Sequence, residues 1–343
     1  MSITIRDIAR QANVSPSTVS RVVNGSGYVS KVTRKKIEQI IKVHDYVPSA
    51  MAQRLSKGSN NIVGVMIPEI DNPFFSGIIR GIEEVADKEG LCVILCNSDE
   101  NSSKEQRLVR VLKEQRIRGL LLTPAVGEHQ QMAEYRQIFS QLEVPIVLMD
   151  RKVVGGDYDG IYFDDERAVL DITTILIQNG HTHIELLAGN QNLELARIRV
   201  NGYKEAFQCS GLSHESEWIH YCLFAQEEGY NIMSKILSRD KKRWPTAVVS
   251  NNNMLSLGAL RAIFERNLSI PRDIAFVGYD QIDLLEILKL NITLAEKDSI
   301  EMGRVAMKML CERMTREPCV DFLPRKITMM PKVVVRGSEA LIK

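Results

Sequence analysis

The sequence predicts an α/β protein in two parts: an all-α helix-turn-helix head at the N-terminus and a larger body of two doubly wound lobes. Three observations carry this reading. Residues 1–46 hold short helical patterns with no strand between them. From residue 61 onward, short β-rich runs alternate with amphipathic helical stretches. And 343 residues exceed what one ordinary hydrophobic core encloses.

In the head, Ile5, Ile8, Ala9 and Ala12 share one helical face, and Thr4 stands where an N-cap belongs. Asn13-Val14 interrupts the pattern. A second short helix begins at Ser15, with Pro16 in its first turn, where a missing N–H costs nothing. Val19, Val22 and Val23 form its apolar side, and Asn24-Gly25 ends it. A third helix, about residues 31–44, carries Ile37, Ile40 and Ile41 together with the basic run Arg34-Lys35-Lys36.

In the body the β-rich runs are 62–67, 91–96, 119–123, 145–149, 184–188, 246–250 and 274–279. Helical stretches between them include 74–89, 104–116, 165–179, 197–209 and 253–267. Alternating βα units predict parallel sheets with helices on both faces. Two such lobes suit this length better than one very wide sheet. Ligands of such folds sit beyond the carboxyl ends of the strands, in the cleft between lobes.

Charge divides along the same line. Residues 1–60 carry ten Lys and Arg against three acids, a net of +7 that leaves −6 on the rest of the chain. A basic head on an acidic body suits a polyanionic partner for the head alone; a solvated charged face explains the charge equally well. No run of 18 apolar residues exists, and MSITIRDIARQ lacks a signal peptide's apolar stretch, so neither a membrane span nor export is expected. The six cysteines form no CxxC pair and no cluster with histidine. Cys92 and Cys96 read as buried thiols of a strand, a pattern that fits a reducing cytoplasm with no structural metal.

Two short helices joined by a tight turn place the second in the DNA major groove. That helix presents Ser15, Pro16, Ser17, Thr18, Ser20 and Arg21 on its polar side. Arg21 is suited to a bidentate contact with guanine, and the hydroxyls to phosphates or bases. A three-helix bundle that merely packs remains open on spacing alone. The segment IRDIARQANVSPSTVSRVVNG resembles the signature of the lactose-repressor (LacI/GalR) family. The resemblance continues through VSKVTRKKIEQIIKVHDYVPSAMAQRLS, IVGVMIPEIDNPFFSGIIRGIEE, GHTHIELLAG and IPRDIAFVGYD, in order and over nearly the whole chain.

The resemblance implies a homodimer, with a tetramer left open, whose heads bind operator DNA and whose body is periplasmic-binding-protein-like. It implies a head at 1–46, a hinge helix and linker at 47–60, and a body at 61–343. Lobe 1 is expected at about 61–161 with 293–322, and lobe 2 at about 162–292 with 323–340. The implied DNA site comprises Thr4, Ser15, Pro16, Ser17, Thr18, Ser20, Arg21, Asn24, Arg34, Lys35, Ser49, Ala52, Leu55 and Lys57. Leu55 matches the hinge leucine that wedges into the minor groove and kinks the duplex, and Ala52 is small enough for two hinge helices to approach. Without the resemblance, Leu55 reads as an ordinary core leucine.

For the effector cleft the resemblance points to Asn72, Phe74, Phe75, Asp150, Arg199, Phe224, Asn252, Asn253 and Asp280, all at strand ends. Carboxylates that accept from hydroxyls, an Arg fork and aromatic rings suit a small polar effector, a sugar or sugar derivative. Plainer roles are open for some: one of Phe74 and Phe75 as core, Asn252 and Asn253 as helix caps, Arg197 as a surface charge. Leu193 and Leu195 stand where purine-responsive relatives are polar, which disfavours a nucleobase. The family's Thr-x-x-Gln-Pro crossover reads here Thr293-Leu294-Ala295-Glu296-Lys297-Asp298, and Glu296 or Lys297 points to a charged ligand such as a sugar acid or phosphosugar. No GxGxxG after a strand, P-loop, HExxH or GxSxG is present, so neither catalysis nor a cofactor is expected. Two rivals remain: control by a protein co-repressor through the helix at 299–316, with Arg304, Lys308 and Arg313, and a sugar-binding protein without DNA function.

Overall fold

The computed structural model describes residues 3–23, 25–44, 46, 61–125, 139–140, 142–153, 156–315 and 323–342. The chain forms two compact units, residues 1–60 and 61–343.

Among the described residues of the first unit are three helices: α1 (Ile5–Ala12), α2 (Pro16–Val23) and α3 (Lys31–Val43). The start of α1 is a capping box. The Thr4 hydroxyl accepts from the Asp7 amide, and the Asp7 carboxylate accepts from the Thr4 amide. That bonding with Thr4 also holds the Asp7 carboxyl below the usual range. Asn13 ends α1 in the left-handed region, φ 59°, a conformation that Asn tolerates better than most residues. The chain therefore turns within three residues into α2. Ile8, Ala9, Ala12, Val19, Val22 and Ile37 form a small core between the helices.

The second unit contains two sheets. In the first the strand order is β11-β5-β4-β3-β1-β2, all parallel. Its strands are β1 (Ile62–Ile67), β2 (Cys92–Asn97), β3 (Leu120–Leu122), β4 (Ile146–Met149), β5 (Asp159–Phe163) and β11 (Lys326–Met329). In the second the order is β12-β10-β9-β8-β6-β7, parallel except for β12. Its strands are β6 (Ile184–Gly189), β7 (Ile219–Tyr221), β8 (Ala247–Ser250), β9 (Ala275–Tyr279), β10 (Thr293–Glu296) and β12 (Lys332–Val334). Helices α4 (Pro73–Lys88), α5 (Ser102–Glu114), α6 (Asp165–Gln178), α7 (Glu194–Cys209), α8 (Gln226–Leu237), α9 (Asn253–Glu265), α10 (Asp283–Ile287) and α11 (Ser299–Thr315) make the crossovers. Strands β1, β4, β6, β8 and β9 are buried at every position, as expected of parallel sheets covered on both faces.

The lobe limits differ from the sequence expectation in one region. Strand β10 pairs with β9 and β12 in the second sheet, whereas 293 onward was expected in lobe 1. Strand β11 pairs with β5 in the first sheet, although 323–340 was expected in lobe 2. The chain thus passes between lobes at 164, at 297–298 and at 330–331. Helix α11 belongs with the first lobe because it packs on α4. At their contact a Cβ on Gly81 would fall 2.0 Å from the Ile300 carbonyl oxygen, and one on Gly303 would fall 2.1 Å from that of Ile78. Only glycine permits so close an approach of two backbones.

A second correction concerns β2. Cys96 is buried but Cys92 is exposed, because β2 is the edge strand and one end of it faces water. Among the described residues no helix is long and apolar enough to cross a membrane.

Candidate functional site

In the head, α2 buries Val19 and Val22 and turns its opposite side outward. Ser15, Pro16, Ser17 and Arg21 are exposed, with Thr18 and Ser20 half-buried. Ser15 Oγ lies 2.7 Å from Ser17 Oγ and 2.8 Å from Thr18 Oγ1, and it accepts from the Thr18 amide at 3.2 Å. These hydroxyls form a local network at the helix start. The stem of Arg21 lies against Gly27, 3.3 Å from where a Cβ would stand. Gly27 has φ +70°, so the turn after α2 needs glycine both for its backbone and to seat the arginine. Arg34 is half-buried and Lys35 exposed on α3. Among the described residues, Arg21, Arg34 and Lys35 have no carboxylate within ion-pair distance. Asn24, Ser49, Ala52, Leu55 and Lys57 lie outside the described residues, and with them the whole hinge.

In the body, each sheet reverses its strand order beside its first strand, between β1 and β3 and between β6 and β8. Crevices open at such points, beyond the carboxyl ends of the strands. The expected residues gather there. Asn72 caps α4 by accepting from the Phe74 amide at 3.1 Å. The same oxygen accepts from Asn253 Nδ2, on the other lobe, at 2.9 Å. Asn252 is spent as the cap of α9, accepting from the Leu255 amide at 2.8 Å. The two asparagines thus divide the roles left open in sequence: Asn252 caps and Asn253 crosses between lobes.

Asp150 and Asp280 occupy equivalent places. Asp150 follows β4 with φ 62°, and its amide donates to Ile161 at 2.9 Å. Asp280 follows β9 with φ 70°, and its amide donates to Ala295 at 2.9 Å. Left-handed backbone at a non-glycine residue is uncommon, and here it recurs at the same place in both lobes. Both carboxylates are buried and both meet one ammonium. Lys297 Nζ is 3.2 Å from Asp150 Oδ1 and 3.1 Å from Asp280 Oδ1. It also lies over the Phe74 ring, 3.8 Å from the centroid, with Phe163 and Tyr279 at 5.2 and 5.3 Å.

One ammonium does not compensate two buried carboxylates. Burial raises Asp150, but Lys297, Arg199 and Arg151 outweigh it and hold that carboxyl below the ordinary range. At Asp280 burial prevails over Lys297, and the carboxyl is pushed up. Glu296 faces away and pairs with Arg336 at 2.6 Å, so of the two crossover charges only Lys297 enters the cleft.

Arg199 is 2 % exposed, whereas Arg197 is exposed. Arg199 Nε and Nη2 donate to Asp165 Oδ1 at 3.1 and 2.9 Å, and Nη1 donates to the Asn251 carbonyl. Its guanidinium stacks on Tyr279, 4.2 Å from the ring centroid, and more loosely on Phe224, at 5.9 Å. The Tyr279 hydroxyl also donates to Asp165. The half-buried Phe224 ring covers Gly189, whose φ is +87° and where a Cβ would fall 2.2 Å from the ring. Phe74 and Phe75 meet edge to face at 5.1 Å, and both belong to the core of the first lobe.

Asp165, Tyr279 and Phe163 are not among the residues to which the resemblance points, whereas Arg151 follows Asp150 at the same strand end. Arg151 holds Glu100 in a bidentate pair at 2.8 and 2.7 Å. The signal for Asp165 was available, because an acid in the first turn after a strand end stands beside the cleft. Among the described residues, Arg151 pairs with Glu100, Arg199 with Asp165, and Lys297 with both Asp150 and Asp280, so these carboxylates outnumber the cations that hold them. On α11, Arg304 pairs with Glu84 and Glu301, and Arg313 with Asp159. Those two arginines are committed within the chain.

A model of "Periplasmic binding proteins and sugar binding domain of LacI family" matches residues 60–323, and one of "Bacterial regulatory proteins, lacI family" matches residues 4–49. The chain is 31% identical to the HTH-type transcriptional repressor PurR of Aliivibrio fischeri (strain MJ11), over 98% of each chain. It is 32% identical to the ribose operon repressor of Escherichia coli (strain K12), over 98% of this chain and 99% of that one. Among solved structures, the lac repressor dimer bound to operator and the anti-inducer ONPF matches with TM-score 0.83 and 25% identity, over 99% of this chain and 100% of that one. A LacI family regulator from Enterococcus faecium with bound ribose matches with TM-score 0.71 and 27% identity, over 82% of this chain and 100% of that one.

Proposed function

The chain belongs to the LacI family of bacterial transcription regulators, and from that premise we propose a homodimeric, cytoplasmic repressor whose cleft binds a neutral sugar. The observation that carries the sugar reading is the pair of buried aspartates, Asp150 and Asp280, one from each lobe and each on a left-handed residue at a strand end. Carboxylates so placed accept from the hydroxyls of a polyol, while Phe224 and Phe74 offer rings to its apolar face. The ribose named for the Enterococcus structure and for the Escherichia repressor supports the same class. A sugar acid or phosphosugar fits less well, because Lys297 is already neutralised and carboxylates outnumber cations around it. Buried Leu193 offers a nucleobase no polar edge.

On the DNA side, α2 enters the major groove of an operator half-site. Ser17, Thr18 and Ser20 engage phosphates or bases, and Arg21 reads guanine. Arg34 and Lys35 add phosphate contacts that make affinity salt-dependent. The hinge, with Ser49, Ala52, Leu55 and Lys57, completes the site by inserting Leu55 at the dyad. Effector and operator are linked through hinge spacing, and because coupling is reciprocal each changes the other's affinity by one factor. Two assays test the reading. Selection of a palindromic operator from random duplexes, followed by a sugar screen on the complex, is expected to yield a ligand that shifts operator affinity. Failure of every neutral sugar, with an anionic sugar succeeding, would overturn the ligand class.

A further inference from the structure

The ammonium of Lys297 stands where the two lobes meet. It contacts one carboxylate from each lobe, Asp150 and Asp280, and the faces of Phe74, Phe163 and Tyr279 surround it. Its side chain is only 2% exposed. Acceptor oxygens and ring faces are the two kinds of surface that a polyhydroxylated ligand needs, and this side chain occupies both.

We infer that Lys297 is an internal competitor for the effector: it clamps the two lobes together through Asp150 and Asp280, and a neutral sugar binds by displacing it. The inference rests on the cleft being the effector site.

The attachment of the lysine suits this role. Residue 297 lies in the two-residue passage between β10, in the second sheet, and α11, packed on the first lobe. A change in lobe angle therefore moves its backbone, and the four-carbon stem lets the ammonium leave. Once it leaves, Arg199 and Arg151 still act on Asp150, and Arg199 acts on Asp280. The two carboxylates are then free to accept from sugar hydroxyls, which take the place of the ammonium as their partners. An anionic ligand gains less, because the charge it would seek is already shared by two acids.

The test uses the full-length chain with Lys297→Gln, Lys297→Arg and the double variant Lys297→Gln/Asp150→Asn. The first readout is hydrogen exchange without added sugar, at amides of residues 72–76, 150–152 and 280–282, with β3 and β8 as controls. Lys297→Gln is expected to exchange about tenfold faster at the three cleft segments. The controls stay unchanged and Lys297→Arg stays close to wild type. A general loss of stability would move the controls as well, which separates a clamp from a structural role. The second readout is calorimetric titration with ribose as the probe. Lys297→Gln is expected to bind about tenfold more tightly than wild type.

Cleft exchange at the wild-type rate in Lys297→Gln overturns the inference. So does weaker ribose binding by Lys297→Gln, which would make the lysine a ligand contact. Should Lys297→Gln fail to fold, the double variant carries the exchange measurement, since it removes a carboxylate together with the ammonium, and the ribose titration is made on Lys297→Met, which keeps both aspartates. Faster cleft exchange with no sugar bound by any variant supports the clamp and rejects the sugar reading, so the two fail separately.

Discussion

In the head, Arg21 and Lys35 stand in water, and among the described residues no acid lies within ion-pair distance of either. In the cleft, Arg199 and Lys297 are both 2% exposed, and each is held by a carboxylate and by aromatic rings. The contrast follows from what each site meets. A polyanion brings its own negative charge, so the head keeps its cations hydrated and uncommitted and gains affinity by releasing counterions. The neutral ligand proposed for the cleft brings none, so the buried cations there already pair with carboxylates of the chain, and on that proposal the ligand exchanges with contacts already made. On the proposed reading the head binds without rearranging its cations, whereas the cleft binds by rearranging.

The sharpest way to break this comparison is to strand a charge in the cleft. Asp165→Ala leaves the Arg199 guanidinium buried without its carboxylate, and breaking such a pair costs about 3–5 kcal/mol. Denaturant unfolding of the variant is expected to show a loss of that size. A loss under 1 kcal/mol, roughly that of a surface pair, would show that water reaches the site and that the cleft resembles the head after all.

The matching change in the head acts on binding alone. Arg21→Ala is expected to weaken a selected operator by about 1–3 kcal/mol and relax its sequence preference. Its thermal midpoint stays at wild type. Gel-shift titration and calorimetric scanning check the two halves, and unchanged discrimination among operators would remove Arg21 from the reading surface. Thr4→Ala is a smaller perturbation of the same unit. It removes the capping oxygen of α1 and is expected to cost about 1 kcal/mol of head stability, read by circular dichroism.

The subtlest prediction separates the two aspartates by pH. Asp280 is raised by burial, so the unfolded chain ionises before the folded one, and ionisation costs stability from about pH 4 upward through the folded value. Asp280→Asn removes that cost. Its midpoint relative to wild type is therefore expected to improve as pH rises above about 4. Asp150 is held low and has the opposite sign, contributing stability above the usual carboxylate range that is lost as pH falls. A midpoint difference that stays flat with pH would show that Lys297 compensates both acids fully.

Much of the cleft was legible as positions and little of it as partnerships. Asn72, Asp150, Arg199, Asn253 and Asp280 were legible because the resemblance points to them and they stand in the segments that follow strands, where a doubly wound sheet places its crevice. Their partners were harder to see. Asp165 and Arg199 are 34 residues apart, Asp150 and Lys297 147, and Asn72 and Asn253 181. No local pattern encodes contacts at such separations. Glu296 and Lys297 looked alike in sequence as adjacent charges, yet one pairs with Arg336 outside the cleft and the other occupies its centre. Alternation along an extended strand end sends neighbouring side chains to opposite faces.

The sequence by itself determined the helices of the head and seven of the strands of the body, but not β5, β7, β10, β11 or β12, whose runs are short or carry polar residues. Thr4, Asn13 and Pro16 set the limits of the first helices through capping and backbone preference. Runs such as IVGVMI declared buried parallel strands, because only a strand covered on both faces is apolar throughout. Those signals are local, and so they survive without the fold. Tertiary structure alone decided which sheet β10 and β11 would join and which carboxylate each buried cation would take. Both are choices among distant segments of similar local character, settled by packing and by the cost of leaving a buried charge alone.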